Sequence, residues 1–572
     1  MQYTGIQFTE TMRGFFSTIS SGVKLNKQLR DECKFTVTIH SNNLEEFLSD
    51  PKHKAMIQGT VHAPLLSDKP LTVKGGMFNL FVEDDDRVET SKMVYRLPLK
   101  SAEGNKYYIE GYKLIHNDSG FDLWPDTTTL FISVYEGPDD KGPLIGKGTL
   151  RISAADFLKL LSTIRILNQP SMTKQLKALA RFGKFFTGKL FNTYAAIFSK
   201  QHLYNPNTPP RQRRPLRTAA PETYYFTTSE NLQLRLLRYN GGYKGPVMLS
   251  HGFATSSVTY NLDTIDTNLT EYLYEQGYDV WLLDYRLSIE TPYTSGQWTM
   301  DDIAEEDYPA AVEKIRQITG ADKIDILAHC VGAITAVMAV LKGMEGVRSM
   351  MLFQVATHIQ PPFLNNLKTK LYIPTFLKKI GIQTMTSYTD VKANWKNRFF
   401  NKALRLLYPK GANEHCKNPT CHRLTFMYGR IVQHNQLNQL THDTLSEQLG
   451  EANLTTFEHL ALIFRERKLL RADGADVYLP HLNRMAMPIT LFSGEDSNVF
   501  LPEGMEKSYL ALCAENGSHL CKRHVLKGYG HNDCLIGKNV VRDVFPHILE
   551  HLDKVEELES YRTEGYLKSS TS

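Results

Sequence analysis

The residues Ile324-Asp325-Ile326-Leu327-Ala328-His329-Cys330-Val331-Gly332-Ala333 form a short apolar run ending in a cysteine, with a small residue two positions to either side. This is the spacing of the G-x-S-x-G nucleophile elbow with cysteine in the serine position. A strand enters a helix so sharply there that the nucleophile is strained, and only small neighbours avoid a clash. A thiol at that turn points to acyl transfer through a thioester. The chemistry needs three more parts, and the chain supplies them in order. Upstream, the apolar run Gly245–Ser250 leads into His251-Gly252-Phe253-Ala254, where the backbone N–H of Phe253 would join that of Val331 as an oxyanion hole. Downstream, Met487–Ser493 runs into Gly494-Glu495-Asp496, and His524-Val525-Leu526 leads to Gly528-Tyr529-Gly530-His531. Cys330, Asp496 and His531 are therefore the candidate triad. His531 would lower the thiol pKa toward thiolate formation at neutral pH and later protonate the leaving group, and Asp496 would fix the imidazole tautomer. Glu495 competes for the acid role, and Cys534 is a rival nucleophile.

Each part taken singly has an ordinary reading. A cysteine after a strand is most often core packing, Gly-His is a turn, and Gly-Glu-Asp is a solvated loop. Their joint order and strand context carry the assignment. The elements between them alternate: Leu269–Gln276 is helix-like and Tyr278–Asp284 is a buried-strand run, the βαβ pattern of a parallel sheet. The fold class expected is α/β: an α/β-hydrolase core over 216–358 and 486–556, interrupted by a helical cap insertion over 359–485, with a tail over 557–572. Asn394–Leu407 and Thr444–Glu451 are expected helices of the cap. Its Phe363, Leu371, Tyr372, Phe376 and Phe399 would suit a bulky apolar acyl or alcohol group, or form the cap's own core.

At these residues the chain resembles known families. The segment from His531 to Gly537, His-Asn-Asp-Cys-Leu-Ile-Gly, resembles the histidine segment of acid-lipase-like hydrolases. The elbow His329-Cys330-Val331-Gly332, the Cys416-to-Cys421 stretch and the run from Thr441-His442-Asp443 to Phe457-Glu458-His459-Leu460 are similar to something narrower. They resemble the hydrolase region at the carboxyl end of bacterial cholesterol-oxidase-like proteins of the glucose-methanol-choline oxidoreductase family, a likeness that extends to Phe8–Gly14. No G-x-G-x-x-G follows a strand, so no FAD and no other cofactor is expected. The resemblance implies only a lipid or sterol context; an oxidoreductase of that family as partner belongs to the non-catalytic alternative.

The amino-terminal third reads differently. After a segment over 1–29, alternating runs such as Phe35–His40 and Leu130–Tyr135, separated by turn signals, predict an antiparallel β-sandwich or barrel over 30–155. Between the two domains, Asp156–Arg217 holds twelve Lys or Arg and one acid, a net of +11 within a chain whose total is +5. Leu179, Phe182, Phe186, Leu190, Tyr194 and Phe198 recur at helical spacing there. A basic amphipathic helical linker over 156–215 follows, packing its stripe on a neighbouring domain or, over 156–200, meeting an anionic membrane surface. No recognition motif accompanies the charge, so nucleic acid is not an expected partner.

Hydrophobic content of 42% with 22% charge is that of a globular chain, and no apolar run is long enough to span a membrane. An odd count of seven cysteines fits a reducing compartment, and a cytoplasmic protein, peripheral at the membrane if the helix docks there, is the expectation. His415, Cys416, Cys421 and His422 could in principle bind zinc. Neighbouring Cys-His pairs cannot easily face one ion, so a structural cysteine pair or a disulfide is expected and no metal is assigned. The function expected is cleavage or transfer of acyl groups from a lipid-like ester or thioester, and polyhydroxyalkanoate synthases offer an analogy for transfer from a cysteine elbow. The alternative is a non-catalytic lipid-binding or scaffold partner of a sterol-type oxidoreductase.

Overall fold

The computed structural model describes residues 3–18, 31–84, 86–88, 90–115, 129–194, 211–379, 381–388, 416 and 418–570. The chain forms two compact units, one over Met1–Lys200 with Pro409–Lys417 and one over Gln201–Tyr408 with Asn418–Ser572.

In the first unit the alternation of the sequence closes on itself. Its strands are β1 (Gly5–Thr18), β2 (Asp31–Ser41), β3 (Lys54–His62), β4 (Leu71–Glu83), β5 (Ser91–Lys100), β6 (Lys106–Ile115), β7 (Thr129–Glu136) and β8 (Leu144–Arg151). Each pairs antiparallel with the next, and β1 pairs with both β2 and β8, so the ring is shut. Of the two expected forms, sandwich or barrel, the pairing gives a closed eight-stranded barrel. Residues assigned above to a separate amino-terminal segment supply its closing strand. Ile6, Phe8, Glu10, Met12 and Phe16 of β1 are all buried, the period-two signature of one inward face. A short β9 (Arg165–Leu167) extends the sheet on β1, and the 172–194 helix buries Phe182 in the barrel's core cluster with Ala178 and Phe185 partly buried against it. Of the expected stripe, Phe182 faces the barrel while Leu179 is exposed, so the buried face runs through Ala178, Phe182 and Phe185 instead; Phe198 lies outside the described residues.

One charged pair sits inside that core. Lys113 bonds Glu10, both about 4% exposed, and Tyr95 Oη donates to Glu10 Oε2 at 2.8 Å. Removing one partner strands the other charge in a low-dielectric interior, which costs about 3–5 kcal/mol. Lys113→Met is expected to lower the thermal midpoint by several degrees, and Glu10→Gln/Lys113→Met to recover most of the loss; an unchanged midpoint in the single variant would show the pair to be solvated.

The second unit is built on eight strands: β10 (Glu222–Thr227), β11 (Gln233–Asn240), β12 (Lys244–Ser250), β13 (Tyr278–Asp284), β14 (Ile324–His329), β15 (Val347–Phe353), β18 (Ile489–Gly494) and β19 (Cys521–Leu526). Their order is β10-β11-β13-β12-β14-β15-β18-β19, antiparallel at the first two pairings and parallel from β13 to β19. β13 and β14 are buried at every residue, which is why they read as continuous apolar runs. The cap leaves the sheet between β15 and β18. It holds helices at Phe363–Lys370, Ile373–Lys379, Pro419–Tyr428 and Leu454–Glu466, and a small hairpin of β16 (Thr384–Thr386) and β17 (Glu451–Asn453). The expected 394–407 helix lies outside the described residues. At 444–451, a one-turn helix (Leu445–Gln448) gives way to β17. Among the described residues no helix is long and apolar enough to cross a membrane.

Candidate active site

The site is assembled at the carboxyl ends of β12, β14 and β15, and each end carries a non-glycine residue with positive φ: Ala254 at 54°, Cys330 at 58° and Gln354 at 75°. Left-handed backbone at three adjacent strand ends is strain that the surrounding packing must hold. At the elbow, Cys330 N–H donates to Phe353 O at 3.1 Å, and the Val331–Lys342 helix begins at the next residue. Gly332 is needed for close approach, since a Cβ there would stand 2.2 Å from the His251 carbonyl oxygen. Three tyrosines fix the backbone on either side of that approach. Tyr260 Oη donates to Ser250 O at 2.7 Å, Tyr285 Oη to His251 O and Gly252 O at 3.0 Å, and Tyr308 Oη to Gly332 O at 2.7 Å.

This scaffold aims both predicted oxyanion donors at the nucleophile. Burial pushes the Cys330 thiol up to about 12, and against it the N–H groups of Val331 and Phe253 act by hydrogen bonding to the sulfur. Cys330 and His531 line one cavity with Gly252, Phe253, His329 and Tyr428. Burial, with His329 beside it at a ring separation of 4.8 Å, holds His531 well below the ordinary histidine range. Burial thus favours the uncharged form of both groups and works against the expected thiolate.

The acid is not brought together with the rest. Asp496 is exposed; its backbone N–H donates to Tyr529 O at 2.9 Å, two residues before His531, and its carbonyl accepts from Gln433 Nε2 at 3.2 Å. Neither it nor Glu495, whose carboxylate accepts from Gly528 N–H at 3.2 Å, meets His531 Nδ1, which is buried without a hydrogen-bond partner. Cys534 is no rival: its buried thiol donates to His531 O at 3.0 Å and accepts from Gln354 Nε2 at 3.2 Å.

Gln354 was not foreseen. Its Nε2 donates to Gly530 O and His531 O at 3.0 Å, and its Oε1 accepts from Gly494 N–H at 3.3 Å, so one side chain ties the histidine loop to β18. The only signal in the sequence was a polar residue directly after a buried strand.

A second, mostly apolar cavity lies in the cap, lined by Ile373, Leu377, Met385, Leu454, Leu460 and Phe464 among others, and shares Tyr428 and Val499 with the cysteine cavity. Phe253 packs edge-on against Phe457 at 5.0 Å and Tyr428 stacks on Phe457 at 5.2 Å, forming the wall between the two. The cap residues expected to bind an apolar group are placed otherwise. Phe363, Leu371, Tyr372 and Phe376 are all more than half exposed, and Phe399 lies outside the described residues.

Sheet order, elbow and oxyanion loop define an α/β hydrolase, and the alpha/beta hydrolase fold family matches residues 245–537. The chain belongs to that family. Among individual relatives, Triacylglycerol lipase 2 of Arabidopsis thaliana is 32% identical over 104 residues, 17% of this chain and 25% of its own. The Poly(3-hydroxyalkanoate) polymerase subunit PhaC of Haloferax mediterranei is 23% identical over 288 residues, 47% of this chain and 53% of its own. Lipase member K of Homo sapiens is 21% identical over 361 residues, covering 57% and 86%. The chain thus spans between a quarter and about half the length of the first two.

Proposed function

We propose that the protein is an acyl hydrolase or acyltransferase acting on a lipid-like ester or thioester, with Cys330 as nucleophile. One observation carries this reading: Cys330 stands at φ 58° on the sharp turn from β14 into the Val331–Lys342 helix and shares one cavity with Phe253 and His531. A packing cysteine needs neither. In the reaction, His531 takes the thiol proton as sulfur attacks the acyl carbon. The oxyanion forms where the Phe253 and Val331 N–H groups point, and each such donor is worth about 2.7–4 kcal/mol. The protonated imidazole then gives its proton to the leaving alkoxide or thiolate, and water or an acceptor alcohol releases the acyl group from sulfur.

Asp496 is assigned as the acid that orients His531, its side chain turning inward when the site is occupied; the backbone bond to Tyr529 O keeps it beside the histidine loop. The cap cavity next to Tyr428 suits the acyl chain, and lipases among the relatives agree with a lipid ester. The match to a polymerase subunit named for poly(3-hydroxyalkanoate) supports transfer as well as hydrolysis. An odd number of cysteines, seven, supports a reducing, cytoplasmic setting.

Intact-mass labelling tests this reading with p-nitrophenyl esters of short and long chains and with acyl-CoA. A single acyl adduct is expected, accumulating most with donors whose chains fill the cap cavity. No adduct with any donor, together with tight sterol binding, would instead favour the non-catalytic partner of a sterol-type oxidoreductase.

A further inference from the structure

A second cluster of chemistry-bearing side chains lies in the cap and is not used by the reaction above. Cys421 stands on the Pro419–Tyr428 helix, His434 on the turn His434–Gln436 and His442 on the helix Gln439–Asp443. All three are buried, and one ligand atom from each lies within 4.8 Å of the others. Cys421 Sγ is 3.3 Å from His442 Nε2, and the His434 and His442 rings meet edge to face at 5.1 Å.

We propose that Cys421, His434 and His442 hold one structural zinc ion. A thiolate and two imidazoles form a donor set suited to zinc, borderline in softness and indifferent to ligand-field geometry. Zinc–sulfur bonds of about 2.3 Å and zinc–nitrogen bonds of about 2.0–2.1 Å at tetrahedral angles place S and N about 3.5 Å apart. The 3.3 Å separation of Cys421 Sγ and His442 Nε2 already approaches that spacing. On the far side of the same ring, Asp443 Oδ1 lies 3.5 Å from His442 Nδ1, the place from which a carboxylate fixes the tautomer of a ligating histidine. The sequence reading had weighed a metal on His415 and His422. His415 lies outside the described residues, and the imidazoles grouped with Cys421 are His434 and His442.

Binding replaces the Cys421 thiol proton, which passes to solvent, and couples metal affinity to folding of the cap. Such a site stabilises. Its position says what it stabilises. Cys421 and His434 flank Tyr428 and Ile431, both of which line the cysteine cavity. The same stretch is tied to the histidine loop by Asn532 N–H to Ile431 O at 2.7 Å and by Gln433 N–H to Asp533 Oδ1 at 3.1 Å. The metal would pin one wall of the acyl site.

The full chain, expressed with zinc and dialysed against metal-free buffer, is expected to retain about one zinc per molecule by elemental mass spectrometry. Cobalt exchanged into it should give the absorption of a tetrahedral thiolate site. Cys421→Ser, His434→Gln and His442→Gln are each expected to lower retained metal about tenfold or more. Because a cap variant can misfold, the unaltered protein is also stripped with a chelator; its thermal midpoint should fall and return with zinc but not with magnesium. Unaltered protein that carries no zinc and takes up neither zinc nor cobalt overturns the site. So does full retention in both Cys421→Ser and His442→Gln.

Discussion

Cys330→Ala is expected to abolish the acyl adduct and lower kcat/KM by about 10^3-fold or more, while leaving the fold and ligand binding intact. The size follows from the geometry. The two oxyanion donors belong to the backbone and survive the substitution, so the residual rate is that of water attacking an acyl group already bound and polarised. Cys330→Ser separates nucleophile from scaffold, since the elbow accepts either side chain. Burial that already pushes the thiol up to about 12 is harder still on an alkoxide, so the serine variant should retain some esterase activity only through His531. His531→Gln should then remove activity from both. Asp496→Asn is expected to cost about 10- to 10^3-fold in kcat, with Glu495→Gln near the unaltered rate. Equal and small losses in those two would show that His531 works without an acid. A rate unchanged in Cys330→Ala would end the assignment, and single-turnover kinetics on the purified variants decides it.

Folding stability is expected to fall steeply as the pH drops below 6.5. Burial holds His251 and His329 at about 4, His551 at about 3 and His531 well below its ordinary value. With folded pKa values below the unfolded one, the unfolded chain binds protons that the native state does not. The stability is thus fully present above about pH 6.5 and is lost progressively as the pH falls toward the folded values. Four such groups correspond to about 5 kcal/mol per pH unit near pH 5. Thermal midpoints at pH 7.5, 6 and 5, with proton uptake measured by calorimetry in buffers of different ionisation enthalpy, test this. His551 contacts Thr490 Oγ1 at 2.8 Å and Ser349 Oγ at 2.9 Å, far in sequence from the elbow, so His551→Gln should remove about one proton from the uptake and leave the reaction alone. A midpoint unchanged between pH 7.5 and 5 would mean that these imidazoles are hydrated.

What the sequence revealed of the site was what is local in the chain. The elbow and the oxyanion loop depend on small residues and apolar runs within a few positions, and the strand and helix on either side of Cys330 stand where that pattern placed them. Asp496 was legible as a position after β18 but not as a partner, because a side-chain rotation, not a spacing, decides whether it meets His531. Gln354 was hidden because its role is set by Gly494, Gly530 and His531, more than a hundred residues away. In the cap, Phe363 and Phe376 misled because helix periodicity shows that a helix has two faces and not which one looks inward. Sandwich and barrel stayed open in the sequence for a related reason: both alternate with period two, and only the long β1, pairing on both sides, distinguishes them.

That closure limits how the first unit can be recognised. In a shut ring each of the eight strands has a strand neighbour on both sides, and β9, which ends the sheet among the described residues, is three residues long. An extended peptide therefore finds no long strand edge to lengthen. Whatever binds this unit must read side chains on its outer wall or the loops at its two rims, so substitutions there, rather than backbone-directed competitors, are the means to map it.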